Sequence, residues 1–545
     1  MKTKTVQGYL ADIANKRFLP VRMLIREGKI EKVESITQPE DDIYILPGLV
    51  DSHIHIESSM MSPQQFSSIA MAHGTIATVS DPHEIANVLG VAGIEFMVRD
   101  GNQSPLKFHF GVPSCVPSTP FETAGAIIDS QAIGELIGDD RFKYLAEMMN
   151  FPGVINQDEE VMRKLQLARD YGKPVDGHAP GVRGEDLSKY VAAGISTDHE
   201  CHDYEEALEK IRAGMTIQIR EGSAARDFDA LYPLIDQYPD QVMLCSDDRH
   251  PNDLIRGHID ELIRKGLKYG LNFFNLLQAA TWNPVRHYGL DVGLLQEGDP
   301  ADYILVGDPD SFEIRGVYIE GQQVYDQEKV LYEPLPDEKP NVMNPRHLMP
   351  EDFKVKARSN RVRVIHAIDN QLFTSSSWET LADEEGLLQS DTEKDVLKIA
   401  VVNRYQPQLP SVGFIRNFGL KKGAIATSIA HDSHNLLVVG VDDNSIAEAI
   451  RLLREQKGGI VVYNGSQGAG LPLEIAGLMT HRPGREVAHR YEQLTEEARV
   501  LGCTLDAPFM TLSFMALPVI PELKITDQGL FDVNTFQYTS LFADE

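Results

Sequence analysis

The chain is expected to fold as an α/β protein: a (β/α)8 TIM barrel, a small β domain formed by the two flanks of that barrel, and a C-terminal α+β domain. Three observations predict this. Short apolar segments recur eight times between residues 49 and 246, separated by stretches of helical spacing that end in glycine. The segments before and after this region resemble each other in their brief alternating runs. Beyond a proline-bearing stretch, strand and helix patterns continue without the earlier regular alternation.

At 545 residues the chain is too long for a single core. With 42% hydrophobic and 24% charged residues it reads as an ordinary globular protein. Its 51 Lys and Arg stand against 81 Asp and Glu, a formal net charge of −30. So acidic a surface repels phosphate backbones and anionic lipid, which disfavours nucleic-acid and membrane partners. The N-terminus lacks the apolar stretch of a signal peptide, and no run of about 18 apolar residues occurs, so a cytoplasmic protein is expected. Cys115, Cys201, Cys245 and Cys503 form no close pair and read as buried thiols.

Residues 1–45 hold short alternating runs such as Arg22-Met23-Leu24-Ile25, broken at Gly28, and residues 293–335 have the same character, as in Tyr303-Ile304-Leu305-Val306. Together they are expected to form the small β domain around a barrel at 46–292. The barrel opens on Leu49–His55. Ser62-Pro63-Gln64-Gln65 then fits an N-cap serine, a proline at the first helical position and a capping-box glutamine, with Gly74 as the stop. Further extended segments are expected at Ile76–Ser80, Lys107–Gly111, Tyr144–Met148, Pro174–His178, Ile195–His199, Met215–Ile219 and Val242–Ser246. Val161, Leu165 and Ala168 fall at helical spacing before Gly172, and Leu208 and Ile211 before Gly214. Eight such repeats over roughly 250 residues are the size and grammar of a (β/α)8 barrel. A linker is expected at 336–360. From 361 to 545 the pattern mixes strands (Arg361–Ile368, Val396–Val402, Leu436–Val441, Ile460–Tyr463) with helices such as Asn444–Lys457.

In a barrel of this kind the chemistry sits where the strands end. The first strand ends in His53 and His55, which lie two apart and so share one face. The second ends in Asp81-Pro82-His83-Glu84, the fourth in Glu147, the fifth in His178, the sixth in His199-Glu200 and the eighth in Asp247-Asp248. Taken singly, His178 reads as a hydrogen-bonded loop histidine and Asp247-Asp248 as a helix cap. Their joint occurrence at equivalent positions points to a shared site, and imidazole with carboxylate suits Zn, Mn or Fe.

The order of these residues, with His-x-His following Pro-Gly-Leu-Val-Asp, resembles the amidohydrolase superfamily in the branch that bridges two metals with glutamate. The blocks His53–Ser59, Asp81–Asn87, Cys245–Pro251, His431–Asn435 and Leu512–Glu522 are most similar to the bacterial adenine deaminase family, nearly end to end. The resemblance implies hydrolysis of adenine to hypoxanthine and ammonia, through a hydroxide bridging two divalent ions, with Mn or Fe usual and Zn compatible. It implies His53, His55 and Asp247 on one metal, His178 and His199 on the other, and Glu147 spanning both. Asp247 is then the proton carrier, with Asp248 the alternative. His83, Glu84, Glu221, Ser223, Asp248 and His434 are expected to line the substrate site. The partner expected is a small purine base, and the assembly a homo-oligomer, a dimer or larger. A hydrolase of the same superfamily acting on a cyclic amide or another aminopurine, and a binding protein that has kept the fold, remain the alternatives.

Overall fold

The computed structural model describes residues 3–335, 338–369 and 371–543. The linker expected at 336–360 therefore falls partly, at residues 336 and 337, outside the described residues, as do residues 1, 2, 370, 544 and 545 of the flanking units.

Eight parallel strands organise the first half of the chain: β1 (Leu49–Ile54), β2 (Thr75–Ser80), β3 (Lys107–Val112), β4 (Phe142–Met148), β5 (Val175–Gly177), β6 (Thr197–Asp198), β7 (Thr216–Arg220) and β8 (Val242–Cys245). β1 to β5 form one curled sheet in sequence order, and β6 to β8 form a second. Backbone contacts link the outer strands of the two groups. Asp247 N donates to His53 O at 2.9 Å, and Ser196 N donates to Val175 O at 3.0 Å. Helices follow most strands, as the glycine stops predict: Glu159–Asp170 buries Val161 and Leu165, Gly184–Ala192 buries Leu187 and Tyr190, and Tyr204–Arg212 buries Leu208 and Ile211. β1, β2 and β8 are buried along their whole length, and β8, Val242-Met243-Leu244-Cys245, accordingly reads as an unbroken apolar run.

Strand ends depart from expectation by one or two residues. β1 stops at Ile54, so His55 lies on the loop just past it, and β5 and β6 are only three and two residues long. The helix after β1 starts at Pro63 and gives way to a 3-10 turn ending at Gly74, whose φ of +77° suits glycine. The expected capping box does not form. Ser62 Oγ lies 3.0 Å from His481 Nδ1, and Gln65 Nε2 donates to His481 O at 3.0 Å. Both side chains are claimed by the C-terminal half of the chain.

Both flanks enter one seven-stranded sheet, in the order Gln322–Tyr325, Ile314–Ile319, Tyr303–Val306, Tyr44–Pro47, Lys4–Asp12, Arg17–Arg26, Lys29–Ser35. The C-terminal region is built on an eight-stranded sheet that includes Arg361–Ala367, Val396–Val402, Leu436–Gly440 and Gly459–Tyr463. Ile446, Ile450 and Leu453 of the helix Asp443–Glu455 pack on it. Among the described residues no helix is long and apolar enough to cross a membrane.

Buried charges brace the strand ends. Lys210, fully buried, donates from Nζ to Asp198 Oδ2 (2.6 Å), Glu206 Oε1 (2.7 Å) and Ala179 O (2.7 Å). Lys210→Met would leave two carboxylates buried without a counter-charge, so we expect a loss of roughly 3–5 kcal/mol, read as a lower denaturant midpoint by circular dichroism.

In the loop after β3, Glu122 Oε1 accepts from Ser118 Oγ at 2.7 Å, and Oε2 has no partner among the described residues. Burial, then the charge of Asp432, pushes this carboxyl up to about 8. The folded chain thus holds a proton that the unfolded chain releases in the ordinary carboxylate range. Stability falls as pH rises through that window, and the penalty is complete above about pH 8. Glu122→Gln should therefore raise the melting temperature relative to the parent more at pH 9 than at pH 5; equal differences at the two pH values would contradict this.

Candidate metal centre

The ends of the parallel strands bring a set of imidazoles and carboxylates to one buried spot. Glu147, at the end of β4, lies at its centre. Its Oε2 is 2.7 Å from His178 Nδ1 and 3.3 Å from His199 Nε2, while its Oε1 is 3.3 Å from His55 Nε2 and 3.4 Å from His83 Nδ1. Asp247 Oδ1 faces the same space, 3.2 Å from His55 Nε2 and 3.6 Å from His53 Nε2. The rings of His53 and His199 stack with centroids 4.0 Å apart. His53, His55, Glu147, His178, His199 and Asp247 thus converge on one spot. All are buried.

Local structure explains the convergence. Alternation along β1 turns His53 inward, and the first residue beyond the strand carries His55 to the same side, its Nδ1 held 3.1 Å from Asp81 O. Asp247 adopts a φ of +53°, a conformation rare for an L-residue, and its own N–H and C=O bond back to His53 and His55. Its other oxygen, Oδ2, accepts from Arg220 at 2.9 Å, and Arg220 also clasps Glu200 and Asp227. The carboxylate therefore presents Oδ1 to the histidines.

The electrostatics of the spot call for cations. Burial would lower the His53 pKa, yet Asp176 and Asp247 outweigh it and raise the imidazole to about 10. Burial would raise the Glu147 and Asp247 carboxyls, yet the surrounding histidines hold both well below the ordinary carboxylate range. Both His53 nitrogens, His199 Nδ1 and Asp176 Oδ2 have no hydrogen-bond partner among the described residues. Buried lone pairs of this kind are normally satisfied. The donor set fits divalent ions: His53, His55 and Asp247 offer ligand atoms within 4.8 Å of one another, as do His53, Glu147 and His199, and His178, His199 and Glu200.

The residues expected to line a substrate site separate into groups. His83 borders the cluster, its Nδ1 3.1 Å from Asp81 Oδ2. Glu84 turns away from it, to His431 Nδ1 at 2.7 Å and to His434 Nε2. Asp248 accepts from Ser58 Oγ at 2.5 Å, and burial beside Asp247 raises its carboxyl. Ser223 donates to Asp253 Oδ2 at 2.6 Å on the wall of a cavity of about 920 Å³ that also reaches Glu200, His250 and Tyr491. Glu221 lies apart, held by Lys265 Nζ at 2.8 Å. Sequence reasoning missed Arg220 and Asp176. Arg220 had a signal, since Thr216, Gln218 and Arg220 alternate with Ile217 and Ile219 and so put a polar stripe on an otherwise apolar strand. Asp176, one residue along β5, had none.

Comparison with known proteins agrees with this geometry. Residues 44–324 match the profile "Amidohydrolase family", and residues 371–537 match "Adenine deaminase C-terminal domain". The chain is 53% identical to an adenine deaminase of Methanosarcina mazei, over 99% of this chain and 100% of that one. It is 48% identical to one from Salinibacter ruber over 99% of each chain, and 44% identical to one from Borreliella afzelii over 97% of this chain and 98% of that one. A solved β-aspartyl dipeptidase from Fervidobacterium islandicum aligns at 18% identity with a TM-score of 0.45, over 62% of this chain and 100% of that one. Six histidine and carboxylate side chains gathered at the ends of parallel strands, followed by the deaminase-type C-terminal region, place this chain in the amidohydrolase family, among its adenine deaminases.

Proposed function

We propose that the protein hydrolyses adenine to hypoxanthine and ammonia, with two divalent ions, Mn or Fe and with Zn also suited, held by the cluster around Glu147. The observation that carries this reading is the reach of Glu147, whose two oxygens lie within 3.4 Å of four imidazoles from four separate segments. In this reading the two groups of parallel strands make one (β/α)8 barrel over 46–292, between a β domain of 1–45 and 293–335 and a C-terminal domain of 361–545 joined by 336–360. His53, His55 and Asp247 would hold one ion, His178 and His199 the other, and Glu147 would span both.

Deamination needs a nucleophile at C6 and a proton for the departing nitrogen. Bound divalent ions lower the pKa of water towards neutrality and so supply the nucleophile at pH 7. The chain's own groups do the rest. Asp247, oriented by Arg220 and ionised, takes the proton at Oδ1 and delivers it to the exocyclic nitrogen as the C6–N bond breaks. Asp248, whose carboxyl is raised and anchored by Ser58, is the neighbouring alternative carrier. His83, Glu84, Glu221, Ser223 and His434 are the further candidates for lining the substrate site, in a cytoplasmic homo-oligomer.

After loading with Mn, the full chain should release ammonia from adenine and none from cyclic amides that lack the purine. A strong chelator should abolish turnover, and Mn should restore it. Glu147→Gln should lose turnover and bound metal together, measured by ammonia assay and elemental analysis, with the far-ultraviolet circular dichroism unchanged. Full activity in that variant would overturn the bridging role.

A further inference from the structure

The C-terminal region does more than cover the barrel. Its loop His431–His434 enters the wall of the proposed active site, where three of its side chains meet His83 and Glu84 of the helix that follows β2. His434 and His431 both contact Glu84. Glu84, His431 and His434 have the composition of a third metal site, but the hydrogen bonding excludes it. Ala430 N donates to His434 Nδ1 at 3.2 Å, so that nitrogen carries the lone pair and Nε2 carries the proton that faces Glu84. A neutral His434 in this tautomer has no lone pair to give a cation there. Glu84 is instead a carboxylate hydrogen-bonded to His431 Nδ1 and in contact with His434 Nε2.

This arrangement leaves two groups of the loop unspent. His431 gives Nδ1 to Glu84 and stacks on Phe514, with centroids 4.3 Å apart and planes 16° apart. With Nδ1 turned to Glu84, Nε2 is the ring nitrogen left for another partner. Burial would lower its pKa, but Glu84 raises it to about 9, so near neutral pH Nε2 carries a proton to donate. Asp432 is buried; its Oδ1 lies 3.9 Å from His83 Nε2, and its Oδ2 is unpartnered among the described residues. His83 in turn is 3.4 Å from Glu147. A fixed donor and a fixed acceptor therefore stand side by side in sequence, one imidazole away from the cluster. Left empty, a buried acceptor of this kind costs free energy.

We propose that His431 and Asp432, supplied by the C-terminal domain, determine specificity by reading the N3/N9–H edge of the purine, His431 Nε2 donating to N3 and Asp432 Oδ2 accepting from N9–H. This rests on the adenine reading above. With C6 turned to Asp247 and Glu147, the N3/N9 edge is the one that faces away from the cluster. It offers an acceptor next to a donor, the complement of this pair. The same pairing selects the free base. A nucleoside carries carbon on N9, has no proton for Asp432 and leaves that carboxylate buried and unpaired. A site built to pair with a substrate N–H rejects an analogue that lacks it, because the buried acceptor is then left unpaired.

The test uses the Mn-loaded full chain and four variants: Asp432→Ala, Asp432→Asn, His431→Ala and His431→Gln. Adenine, 9-methyladenine and 3-deazaadenine are compared by kcat/KM, or by inhibition constant where an analogue turns over too slowly, with metal content and melting temperature measured in parallel. The parent should prefer adenine over 9-methyladenine, and Asp432→Ala should shrink that preference tenfold or more at unchanged metal content. His431→Ala should raise KM for adenine tenfold or more with a smaller change in kcat, and should abolish the parent's discrimination against 3-deazaadenine. Asp432→Asn keeps an acceptor and His431→Gln a donor, so each should retain part of the discrimination that its alanine counterpart loses; if an alanine variant fails to fold, a parent that does not discriminate against 9-methyladenine or 3-deazaadenine would overturn the assignment of Asp432 or His431. Preferences that stay at the parent values in active variants would overturn this assignment alone. A parent that releases no ammonia from adenine would overturn the adenine reading and this proposal with it.

Discussion

A carboxylate at the centre of a buried site sets the terms for the rest of this structure. Glu147 is 2% exposed, and a charge so far from water is tolerated only where opposite charge or donors surround it. Here four imidazoles do so, and each comes from a different strand end or the segment just after it. That requirement explains why the strands stop where they do. His55, His83, His178 and His199 can point to one spot only if their parallel strands end level with one another. The positive charge that the carboxylates draw onto His53 and His55 is the charge divalent ions would provide more compactly.

Behind the site, a second tier of polar groups holds the first in position. Asp51 accepts from Ser246 N at 3.1 Å and lies 2.8 Å from His258 Nε2, whose Nδ1 is 2.7 Å from Thr75 Oγ1. This ties β1 to β8 and to the start of β2, one turn of backbone below His53 and Asp247. Arg220 plays the corresponding part on the other side, joining Glu200, Asp227 and Asp247 through one guanidinium, whose planar fork suits several carboxylates at once. Orientation of this kind is what turns a group of histidines into a site with defined free lone pairs.

The C-terminal domain belongs to the same polar network. His250, just past β8, lies 2.9 Å from Tyr491 Oη, Gln65 reaches His481, and Glu84 lies between His431 and His434. Arg404 anchors the approach to that loop. Fully buried and without a carboxylate partner among the described residues, it donates to Val342 O, to Asn341 Oδ1 and to His434 O. An interface carrying so many buried polar pairs has one geometry in which all are satisfied, which fixes the loop 431–434 against the ends of the parallel strands.

The alternation of apolar strands with glycine-ended helices and the chemistry of the strand ends were legible from residue order, because both depend on local periodicity. His53-x-His55 and the doublet Asp247-Asp248 announce themselves by their own spacing. Arg220 was legible in principle, from the polar stripe it shares with Gln218. Asp176, the partners of Glu84, and the turn of Ser62 and Gln65 away from their expected helix cap were not. Each depends on residues more than a hundred positions apart, as Asp176 is from His53 and His481 from Ser62, and such pairs leave no mark on local pattern. Residue order thus determined which segments become strands and what chemical groups stand at their ends. Only the tertiary structure decided which of those groups meet, since side chains brought together by the closing of sheets and the docking of a second domain compete for partners that local sequence cannot name.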